Sequence, residues 1–189
     1  MYRAMTWDYH QYPARSCCPS PARIAWDQGS RVPQTAEPLT FHLNKFDPSS
    51  SNQTSQIPYF FGRLNPLMRV DFFTALQACG IDNLDSCPAR LHDRDGSVIP
   101  EMYVAVMVVG LISAVDLEQS QVVLGGFAGG RVKRFERLVI DPSRTRGARM
   151  FRLAEDPTHV WVDDDLVDQL QAAGMSHLRF LRPSQVASL

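Results

Sequence analysis

The stretch Glu101–Val115, EMYVAVMVVGLISAV, constrains the fold more than any other part of the chain. Its residues are apolar at odd and even positions alike. A strand with one face in water alternates apolar and polar residues, whereas a strand covered on both faces runs continuously apolar and β-branched. The segment therefore predicts a central strand with material packed on each side, a helix being the alternative that its valines and Gly110 disfavour. It is not a membrane span, because Gly110 and Ser113 interrupt it and about 20 apolar residues are needed to cross a bilayer. With 189 residues, 44% of them hydrophobic, the chain is long enough for one full core around such a strand.

The flanks predict an α+β protein, with a central mixed or antiparallel sheet and two main helices packed on it. In the first helix, Asn65 suits the cap, Pro66 the first helical position and Gly80 the end. Leu67, Val70, Phe73, Ala75, Leu76 and Cys79 form its apolar stripe. A second helix opens at Asp163-Asp164-Asp165, where carboxylates meet the positive end of the helix dipole. It buries Leu166, Val167, Leu170 and Ala173 and stops at Gly174. Strands are expected after Gly80, closed by the DRDG turn, at Val132–Ile140 near a sheet edge, and at MFRLAE (150–155), HVWV (159–162) and HLRFL (177–181). Helix, strands, helix, strand is an α+β order rather than a βαβ repeat.

Residues 1–57 differ in character, being rich in Pro, Ser, Gln and Thr. Two apolar islands, IAW at 24–26 and LTFHL at 39–43, predict edge strands laid on the main body. DPSSSNQTSQ (47–56) has the composition of a linker. The chain thus divides into an N-terminal segment, 1–57, and a better-specified α+β region, 58–189.

The composition weighs against several functions. A net charge of −1 argues against broad electrostatic attraction to nucleic acid or to an anionic membrane. The N-terminus lacks a basic-then-apolar secretory signal, so a cytoplasmic location and reduced thiols are expected for Cys17, Cys18, Cys79 and Cys87. There is no CxxC pair. His10, His42, His92, His159 and His177 lie in separate segments without HxH, HxxxH or HExxH spacing, so no metal site is expected. GGFAGG (125–130) lacks the Lys-Ser/Thr and helix start of a phosphate loop, and no cofactor is expected. Ser120 has no GxSxG context, and Asp116 and Ser120 read better as turn and cap residues. Glu101, Asp116 and Glu118 could supply paired carboxylates, but nothing fixes their separation. The expectation is a binder, not an enzyme. In Phe151-Arg152, alternation buries Phe151 and turns Arg152 outward or toward an acid such as Asp116 or Asp141.

Three blocks in order carry a family resemblance: PYFFGRLNPLMRVDFFTALQACGIDNLDSCPARLHDRDG, then MYVAVMVVGLISAVDLEQS, then MFRLAEDPTHVWVDDDLVDQLQAAGMSHLRFL. Over roughly residues 58–182 the chain resembles immunity protein family eleven of bacterial polymorphic toxin systems. It departs from the family pattern at Met175-Ser176-His177, where a glycine-containing turn is usual. The resemblance implies an antidote that binds and neutralises a cognate toxin, delivered by contact or by type VI secretion. It brings no catalytic residues. Two charged clusters are then candidate toxin-binding surfaces: Arg131, Arg134, Arg137 and Arg146 for an acidic partner, and Asp163, Asp164, Asp165 and Asp168 for a basic one. The alternatives are a small cytosolic enzyme acting on a metabolite or reversing a toxin-made modification, and a regulatory module or homo-oligomeric scaffold, for instance a homodimer.

Overall fold

The structure, a computed structural model, describes residues 1–6, 24–32, 37–42, 59–61, 67–93, 95–124, 132–175 and 178–186. The expected central strand is β6, Tyr103–Val108. It lies in the middle of a five-stranded sheet of order β2-β5-β6-β4-β3, built with β2 (Leu39–His42), β3 (Phe60–Phe61), β4 (Leu67–Arg69) and β5 (Leu84–His92). All pairings are antiparallel except β2 on β5, which is parallel.

Why β6 is apolar at every position follows from its surroundings. Val106 and Val108 face one hydrophobic cluster, with Met5, Met68, Phe72, Leu76, Val160, Val162, Leu166 and Leu170. Tyr103, Ala105 and Met107 face a second, with Trp26, Leu39, Phe41, Leu67, Cys87 and Leu91. Each fully buried aliphatic side chain of this kind is worth about 1.5–3 kcal/mol over its exposed state.

A second sheet, order β11-β1-β10-β9, is wholly antiparallel. It comprises β1 (Tyr2–Thr6), β9 (Met150–Arg152), β10 (Val160–Asp163) and β11 (Arg179–Leu181). Alternation works here too. Met5, Met150, Val160 and Val162 enter the cluster shared with the first sheet, while Ala4, Phe151 and Trp161 enter a third cluster with Phe135, Leu138 and Val186. The third cluster lies beneath a two-stranded ribbon, β7 (Gln121–Leu124) with β8 (Val132–Arg137). Helices α1 (Val70–Ala78) and α2 (Asp164–Ala172) bury Phe72, Leu76, Leu166, Val167 and Leu170 in the cluster between the sheets. A short helix, α3 (Pro183–Val186), closes the described chain.

The α+β class stands, with the strands divided between two sheets and a ribbon. Four expectations change. The first helix begins at Val70 instead of next to Asn65. Leu67 and Met68, both wholly buried, are strand residues held between β3 and β6, and this pairing on two sides outcompetes a first helical turn. Asn65 and Pro66 lie outside the described residues. Ile24–Trp26 is a turn rather than an edge strand, although Trp26 is buried in the second cluster. Leu39–His42 is the expected edge strand. Tyr2–Thr6, unforeseen, is an interior strand with partners on both sides. Finally, Arg152 points neither outward nor to Asp116 or Asp141. It is fully buried and donates from Nη1 to the carbonyls of Trp26 and Pro157, 3.1 Å each. GGFAGG and the 47–56 linker lie outside the described residues.

Candidate functional site

The acidic cluster is laid down by the chain's direct passage from β10 into α2. Asp163 is the cap: its Oδ1 accepts the Leu166 N–H at 2.6 Å, satisfying a donor that the first helical turn leaves open. Its Oδ2 meets Arg149 Nε at 3.3 Å, and Arg149 Nη1 donates to the Cys79 carbonyl at 2.6 Å. One arginine thereby joins the start of α2 to the end of α1. Asp164 accepts from Arg3 Nε at 2.6 Å and lies 3.4 Å from the N-terminal ammonium. Asp163 and Asp164 therefore hold the fold together. Asp165 and Asp168, one helical turn apart, are exposed on the opposite face from Leu166, Val167 and Leu170, and neither forms an ion pair among the described residues.

The arginine cluster is less concentrated. Arg134 is exposed on β8 and pairs with the equally exposed Glu136 at 3.2 Å, a contact worth little in water. Arg137 is exposed opposite Gln121 at the base of the ribbon. Arg146 is exposed at the end of the 3-10 turn Pro142–Thr145, with a left-handed φ of 54°. Arg131 lies outside the described residues. Two separate local structures, β8 and the end of the 3-10 turn, thus carry the three described arginines, whereas one helix face carries both aspartates that form no ion pair among the described residues.

Asp116 is a turn residue, as expected: its Oδ1 accepts the backbone N–H groups of Glu118 and Gln119 at 3.0 Å. Ser120 links the turn to the segment that follows β8, its Oγ accepting the Val139 N–H at 2.9 Å. Neither is presented as a nucleophile or base. The most unusual polar group is Arg152, whose guanidinium burial pulls down to about 10, with Asp27 partly offsetting that pull. Its work is internal, tying the 24–32 loop and the β9–β10 connection to one strand.

The fold also makes one pair that spacing could not foretell. His42 and His92 face each other across the parallel β2–β5 pairing, ring centroids 5.0 Å apart. Fifty positions separate them in sequence, and only the register of the two strands unites them. His159 sits apart, 3.7 Å from Asp156, while His10 and His177 lie outside the described residues. No helix among the described residues is long and apolar enough to cross a membrane.

A model of the Immunity protein family (Imm11) matches residues 74–184, more than half of the chain and within two residues of the C-terminal limit at 182 suggested by the motifs. No curated protein matches.

Proposed function

The chain belongs to the Imm11 immunity protein family, and from that premise we propose that it neutralises a cognate bacterial toxin by stoichiometric binding, without bond-making chemistry of its own. The family match is the observation that carries this reading. The matched stretch contains α2, β6, the ribbon and three of the four strands of the second sheet, so the proposal concerns the folded body of the molecule. We place this activity in the cytoplasm, against a toxin delivered by contact or by type VI secretion.

The acidic face of α2 is the favoured contact surface. Asp165 and Asp168 are exposed and have no ion-pair partner among the described residues, so a basic toxin meets carboxylates that need not abandon an internal partner. Complementary charge of this kind mainly speeds capture, while neighbouring apolar and aromatic contacts slow release. Arg134, Arg137 and Arg146 are the corresponding surface for an acidic toxin.

Co-expression with the product of the neighbouring gene, scored by survival, tests the function. Measuring association with the purified toxin tests the surface. Asp165→Lys with Asp168→Lys should slow association at least ~10-fold at low salt, and the difference should shrink as salt is added. Equal association of this variant and the unaltered chain removes α2 as the contact surface.

A further inference from the structure

We propose that His42 and His92 form a two-histidine site for a divalent transition-metal ion at the edge of the five-stranded sheet. The two residues are direct partners in the parallel register of β2 and β5, so their side chains leave the same face of the sheet side by side. Two imidazoles on one tetrahedral ion, with metal–nitrogen distances of about 2.0–2.1 Å, hold their ring centroids roughly 5 Å apart. The observed separation is 5.0 Å, with the ring planes inclined by 32°.

A second observation points the same way. His92 Nδ1 lies 2.9 Å from the Gly96 carbonyl, which can only accept, so Nδ1 carries a proton and the neutral ring keeps its lone pair on Nε2. Metal-binding histidines are commonly oriented by such a bond from the other ring nitrogen to a carbonyl. The acceptor is itself fixed: Gly96, at φ +90°, sits in the turn closed by Gly96 N to Asp93 O at 3.0 Å and Asp93 N to Ser97 O at 2.8 Å. His42 is exposed and His92 half-buried, which leaves room for water or a partner's side chain to complete the coordination. Imidazole selects borderline cations, so copper(II), nickel(II) and zinc(II) bind, copper(II) most tightly, and magnesium and calcium do not. Because β2 pairs, among the described residues, with β5 alone, the ion clips this strand to its neighbour and favours the folded chain.

The test titrates the untagged full-length chain with nickel(II), copper(II) and magnesium in a non-coordinating buffer, followed by calorimetry and thermal unfolding. One nickel(II) or copper(II) ion should bind per chain and magnesium none. At a free metal concentration one hundred times Kd, the folding equilibrium should shift ~100-fold toward the native state. His42→Ala and His92→Ala should each weaken binding at least ~10-fold. Electron spin-echo spectra of the copper(II) form of the unaltered chain should show two imidazoles, an outcome that does not depend on how well either variant folds. Binding unaltered by either substitution, or a spectrum with fewer than two imidazoles, overturns the proposal.

Discussion

Single side chains with unusual surroundings set much of this molecule's behaviour. Arg152 is fully buried and satisfies the carbonyls of Trp26 and Pro157, so shortening it leaves a void and removes the donor from both. Arg152→Ala should cost about 3–5 kcal/mol. Arg152→Met should recover part of that by refilling the volume; urea midpoints at constant slope would show both. Asp71 is held below the ordinary carboxylate range chiefly by its hydrogen bond from Arg69, over whose guanidinium Tyr59 is stacked at 4.0 Å. Asp156 is also lowered: burial pushes it up, but the His159 ring 3.7 Å away and hydrogen bonds from Thr158 outweigh that. A carboxylate with a depressed folded-state pKa contributes stability above its unfolded value, near pH 4, and loses it as pH falls through the lower folded value. Stability should therefore decline below about pH 4, and Asp71→Asn should flatten that decline when unfolding free energy is followed against pH. Little of this was legible in the sequence. Arg152 sits at a strand position that alternation turns outward, and only the loop carrying Trp26, more than a hundred residues earlier, makes that position interior.

Elements were legible where their patterns were local. The dual-faced apolar run of β6, the acidic cap of α2 and the turn after β5 all appear in the structure because each rests on neighbours within a few residues. Those fixed by distant partners were not. Leu67–Arg69 carries good helical signals, yet pairing with Phe60–Phe61 and Tyr103–Ala105 makes it a strand. Tyr2–Thr6 has too short a pattern to announce itself, yet it fills the gap between β10 and β11. A chain beginning at residue 58 should consequently fail to fold, since β10 and β11 would each lose their shared partner and β5 its parallel neighbour. Circular dichroism and proteolysis of that fragment against the full chain would check this. The approach of the 24–32 loop to the end of β6 is equally specific. Gly29, at φ +60°, accepts the Gly110 N–H on its carbonyl at 2.7 Å, and a Cβ on Gly29 would lie 2.8 Å from the Gly110 backbone. Gly29→Ala should therefore cost more than Gly96→Ala, which shares the positive φ but meets nothing within 4 Å and should cost about 1 kcal/mol. Thermal denaturation of the two variants gives the comparison.

At the scale of the whole molecule, two sheets share one core through α1 and α2, and a ribbon covers a third cluster on the far side. Tight occlusion of a partner by such a body needs an interface of roughly 1,200–2,000 Å² in total. Of the eight charged residues singled out from the sequence, Asp163 and Asp164 proved to be paired with arginines of the fold, and Asp165 and Asp168 remain as an exposed acidic face with no ion pair among the described residues. That division could not be read from four aspartates within six positions, because it depends on Arg3 arriving on β1 and Arg149 arriving just before β9. The central claim is that this protein neutralises by occupying its partner, mole for mole. Titrating a fixed amount of active cognate toxin with the purified chain tests it most directly. Residual toxin activity should fall in a straight line to an end point at one chain per toxin, whereas complete and lasting neutralisation by a small fraction of an equivalent would mean that the chain turns over and is an enzyme.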